Sequence, residues 1–113
     1  MHVINIKPLK AYTDNYIWLL ETNEEVSIVD PGDAKPVLDY LSKTNKNIRD
    51  IFITHHHFDH TAGVPELENI ISGSIYGPKN SYELINEKVT QGDTLSSLGI
   101  KFQIIEVPGH TLD

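Results

Sequence analysis

A chain of 113 residues holds at most one domain with a modest core, and its 39% apolar and 22% charged composition is that of an ordinary globular protein. The formal net charge of -7 argues against a basic face for nucleic acid, and no window is long enough to span a membrane. With no cysteine, disulfides and thiolate metal sites are excluded, which leaves histidine and carboxylates as metal ligands.

Residues 2–7 alternate loosely and predict an edge strand ended by Pro8. Tyr12-Thr13-Asp14-Asn15 is turn-like. Residues 16–22 are rich in β-formers and predict a strand, with Tyr16 and Trp18 expected in the core. After a polar turn at 23–25, residues 26–29 return as the second arm of a hairpin, stopped by Asp30-Pro31-Gly32. Asp33 suits an N-cap and Pro36 a first helical turn. Val37, Leu38 and Leu41 recur at helical spacing, so residues 34–44 predict an amphipathic helix that ends at 45–47.

Residues 51–54 predict the next strand, completing a strand–helix–strand unit with a parallel crossover. Pro65 and Leu67 suggest a short helix over 62–69. Ser74-Ile75-Tyr76 reads as a short strand and Gly77-Pro78-Lys79-Asn80 as a turn. Residues 81–87 are ambiguous, at most one helical turn. Gly92-Asp93 marks a turn, and residues 94–98 and 100–107 predict a hairpin. Phe52 and Phe102 are expected in the core, whereas Tyr76 and Tyr82 are candidates to flank a pocket. Pro108-Gly109 breaks the last strand and presents His110 in a loop. The fold class is α/β (α+β), a mixed sheet with inserted helices, and ligands in such folds gather at strand ends.

The chemistry concentrates in Thr54-His55-His56-His57-Phe58-Asp59-His60. The pattern His-x-His-x-Asp-His follows directly on the apolar run Ile51-Phe52-Ile53. Alternate residues of an extended segment point the same way, so His55 and His57 can reach one metal. Asp59 and His60, past the strand end, can serve a second. His56 and Phe58 read as spacers turned away. A solvated polar patch or a tag remnant would not follow a buried strand. A catalytic zinc wants a third nitrogen, for which His110 is the candidate.

Zinc on three histidines leaves a position for water, whose pKa then falls to ~7. Two metals ~3.5–4 Å apart can share the hydroxide and polarise the bond under attack. Such a site hydrolyses an ester-like or phosphate bond without a protein nucleophile. The sequence has no Gly-x-Ser-x-Gly elbow and no phosphate-cradling glycine loop. Gly63, Gly73 and the other glycines read as turn residues. Asp30, in Val29-Asp30-Pro31-Gly32, is open between two readings: a hydrogen bond to a metal histidine, or an Asx-turn or capping role. Asp14 and Asn15 read as turn-shaping.

The histidine stretch, followed by Pro108-Gly109-His110-Thr111, resembles the metallo-β-lactamase superfamily. Asp14-Asn15-Tyr16-Ile17-Trp18, Val29-Asp30-Pro31-Gly32-Asp33-Ala34, Ile75-Tyr76-Gly77-Pro78 and the final Val107-Pro108-Gly109-His110-Thr111-Leu112-Asp113 look like the N-terminal half of glyoxalase II, the hydroxyacylglutathione hydrolases. The resemblance runs from near residue 5 to the last residue. It implies the N-terminal half of an αββα sandwich and two divalent metal ions, zinc first, with iron or manganese acceptable to the same ligands. It also implies that His55, His57 and His110 bind the first metal and Asp59 and His60 the second, Asp59 standing nearest the hydroxide the metals hold.

The family reaction is hydrolysis of the glutathione thioester S-D-lactoylglutathione to D-lactate and glutathione, in methylglyoxal detoxification. A cytoplasmic location is expected, since the N-terminus has no basic start followed by an apolar stretch. Neither nucleic acid nor membrane is expected as a partner. The chain departs from the family pattern at Asp113, which reads as a loop residue rather than a bridging aspartate. Residues 1–113 are therefore expected to be a fragment of a monomeric parent, lacking the C-terminal half and helical substrate domain. Two other readings stay open. One is another superfamily enzyme, such as an iron persulfide dioxygenase. The other, for the chain as given, is a non-catalytic, self-associating half-domain with an open sheet edge.

Overall fold

Alternation along the second strand decides which way the sheet faces. The computed structural model describes residues 5–11, 15–54, 61–78, 83–89, 93–98 and 100–103. In β2 (Asn15–Glu21), Ile17 and Leu19 are buried while Tyr16 and Trp18 are 49% and 45% exposed. The two aromatics are therefore not core residues. They fall on the opposite pleat from Ile17 and Leu19, on a face that no described element covers at their position.

A six-stranded sheet has the order β1-β2-β3-β4-β5-β6, with β1 (Asn5–Ala11), β3 (Glu25–Val29), β4 (Asn47–Phe52), β5 (Ile75–Pro78) and β6 (Glu87–Val89). The first three strands are antiparallel neighbours, and β3 through β6 run parallel. Strand β1 runs through Pro8 instead of ending there, pairing Pro8 with Trp18. An edge strand tolerates the missing N–H. Strand β4 begins at Asn47, earlier than the apolar run suggested, and β6 begins at Glu87, the last residue of the ambiguous stretch 81–87, whose described residues 83–86 are a turn and irregular backbone. Gly77 and Pro78 belong to β5 and not to a turn. Residues 12–14, 79–82 and 104–113, with the turn, strand-end and loop readings made for them, lie outside the described residues.

Helix α1 (Ala34–Thr44) connects β3 to β4, as its periodicity predicts. The Asp33 carboxylate accepts from Lys35 N at 3.1 Å. Asn45 closes the helix in the left-handed region (φ 57°), its N–H donating to Leu41 O. The short helix α2 (Val64–Leu67) and a 3₁₀ turn at Glu68–Ile70 connect β4 to β5. The inward sets of the central strands, Ile17, Leu19, Val26, Ile28, Ile48, Ile51 and Ile75, form one buried cluster with Val37, Val64 and Leu67 of the helices. A second, two-stranded sheet is the hairpin of β7 (Thr94–Ser97) and β8 (Ile100–Gln103). Leu98 has φ 57°, which a two-residue hairpin turn requires at its first position.

Glu21 is one of three buried acidic residues among the described ones, with Asp30 and Asp50. Glu21 is 2% exposed and accepts from the Tyr40 hydroxyl, from Lys46 Nζ at 3.0 Å and from Lys7 Nζ at 3.1 Å. Burial by itself would raise its pKa. The Tyr40, Lys46 and Lys7 hydrogen bonds and the Lys46 charge outweigh burial and hold it below its ordinary 4.5. Burial and the same contact push the Tyr40 phenol upward. A carboxylate with a depressed folded-state pKa adds stability that is present above the ordinary value and lost as pH falls through the folded value. The stability gap between the native chain and Glu21→Gln is thus expected to shrink as pH is lowered from about 6 to about 3 in urea titrations. A pH-independent gap would contradict this.

Candidate metal centre at the strand ends

Strands β3 and β4 finish level with one another, and the parallel β5 beside them runs two residues further, to Pro78. Val29 pairs with Phe52 and Phe52 with Tyr76, so the chain leaves β3, β4 and β5 along one edge of the sheet. Asp30 N donates to Phe52 O at 2.8 Å and Ile53 N to Tyr76 O at 2.8 Å, which carries the pairing one step past the strands. Phe52 is half-buried and stacks on Tyr76 with ring centroids 5.5 Å apart, on the side of the sheet away from Ile51. Burial and the negative charge of Asp50 raise the Tyr76 phenol.

At this edge Asp30 adopts φ 52°. Aspartate tolerates the left-handed region better than most residues, because its short side chain finds local partners. Gly32 N returns to Asp30 O at 2.8 Å, so residues 30–32 form a tight corner. The corner holds both ends of the segment that contains the histidines. At the entrance, Thr54 N donates to Asp30 Oδ1 at 2.7 Å, and the Thr54 hydroxyl donates to Asp30 Oδ2. At the exit, Gly63 N donates to Pro31 O at 2.9 Å, next to the buried Thr61. A side chain at Gly63 would place its Cβ 2.5 Å from Pro31 O and 2.6 Å from Ala34 N. Both are backbone atoms that cannot swing aside.

Of the residues singled out from the sequence, the structure places Asp30. Its carboxylate grips the residue just before His55, while the helix-capping role falls to Asp33. His55, His57, Asp59, His60 and His110 lie outside the described residues, as do His56, Phe58, Tyr82 and Asp113. Phe102 is described only in its backbone. Among the described residues no three His, Cys, Asp or Glu side chains converge on a metal position. The donor set between the two anchored ends is imidazole and carboxylate without thiol, which suits a divalent cation such as zinc. Thr54 and Gly63 were missed as contributors. The only signal for them is position, one on either side of the histidine stretch.

The sequence matches the family described as the Metallo-beta-lactamase superfamily over residues 13–112. The chain belongs to this superfamily. It is 47% identical to a hydroxyacylglutathione hydrolase of Pseudoalteromonas translucida (strain TAC 125), over 98% of this chain and 45% of that protein. It is 43% identical to a hydroxyacylglutathione hydrolase of Idiomarina loihiensis, over 97% of this chain and 45% of that protein. The chain thus spans about half the length of the curated relatives it matches. The fold matches the crystal structure of BLEG-1 B3 metallo-beta-lactamase with a TM-score of 0.81 at 20% identity, covering 95% of this chain and 63% of that one. It also matches ETHE1 from Myxococcus xanthus with a TM-score of 0.68 at 22% identity, covering 89% and 46%. Among the described residues no helix is long and apolar enough to cross a membrane.

Gly63→Ala is expected to destabilise the superfamily fold by about 1–3 kcal/mol, the usual cost of forcing atoms into a filled space. Urea unfolding measures it. A change within about 0.5 kcal/mol, the range of an ordinary surface substitution, would show that the exit of the histidine segment is not pressed against Pro31.

Proposed function

We propose that the chain carries most of the metal site of a hydroxyacylglutathione hydrolase, a cytoplasmic thioesterase that cleaves S-D-lactoylglutathione to D-lactate and glutathione. The observation that carries the reading is the His-x-His-x-Asp-His stretch, launched from the end of β4 and anchored at both ends to the corner at residues 30–32. The names of the curated relatives support the substrate class.

In this reading His55, His57 and His110 hold one divalent metal and Asp59 and His60 a second, zinc being the first choice for a cysteine-free donor set. When bound, the metals supply a water-derived nucleophile at neutral pH and positive charge for the developing oxyanion. The histidines must be neutral to bind, so metal is lost as pH falls below their range. In this reading Asp30 holds Thr54, the residue at which the histidine stretch begins. The leaving group is a thiol of free pKa ~8.5, which departs as thiolate without a strong acid from the protein. No Ser-His-Asp arrangement is called on.

The product of the whole gene is expected to hydrolyse S-D-lactoylglutathione, to lose the activity on chelation and to regain it with zinc. His57→Ala is expected to lower kcat/KM at least about a hundredfold, since even partners of metal ligands cost ten- to a hundredfold. A folded, metal-loaded protein without thioesterase activity would refute the proposal. Iron dependence with oxygen consumption would point to an oxygenase instead.

A further inference from the structure

We draw no further inference here: the strongest candidate, the apolar surface patch where Pro8, Trp18, Val29, Phe52 and Tyr76 follow one another across five strands on the face of the six-stranded sheet opposite Ile17 and Leu19, carries nothing, because nothing in the structure shows what covers it.

Discussion

The histidine segment depends on a corner that belongs to a different strand. Asp30 leaves β3 in a left-handed conformation, and its carboxylate turns across to Thr54 at the end of the neighbouring β4. Pro31, the next residue, accepts from Gly63 on the far side of the segment. Thr54 and Gly63, on either side of the histidine stretch in the sequence, are therefore both fixed to one turn. The same corner starts α1, whose N-cap is Asp33, so the loop anchors and the core-covering helix share one turn.

Polar groups inside the domain do what apolar packing cannot. Glu21 ties β1, β2 and the end of α1 through two lysines and a tyrosine. Asp50 ties the two sheets through Ser97 of β7. Each sits at a junction between elements that the apolar cluster alone leaves free to shift. Among the described residues no buried side-chain nitrogen or oxygen lacks a hydrogen-bond partner, so the polar groups specify geometry without an uncompensated desolvation cost.

Much of this was legible in the sequence. Helix α1 announces itself through Asp33, the spacing of Val37, Leu38 and Leu41, and Asn45. The hairpin of β2 and β3 and the parallel return of β4 follow from β-branched runs and turn residues. What failed did so for physical reasons. Tyr16 and Trp18 are strong β-formers, but β-propensity does not tell which pleat faces the helices. The first half of β4 hides behind Arg49 and Asp50, because a buried Asp reads as surface until its partners at Ser74 and Ser97 are known. Strand β6 is three residues long and mostly exposed, so only pairing with β5 reveals it. The histidine motif was the plainest signal in the chain. The partner of Asp30 was not, because Thr54 lies 24 positions away and the two meet only when β3 and β4 lie parallel.

The most direct measurement is a crystal structure of the product of the whole gene grown with zinc, with an anomalous difference map at the zinc edge. The account predicts two peaks about 3.5–4 Å apart beyond the end of β4. His55, His57 and His110 should contact one, Asp59 and His60 the other, with Thr54 still bonded to Asp30. Zinc bound elsewhere, or a histidine segment folded away from the corner at residues 30–32, would contradict it.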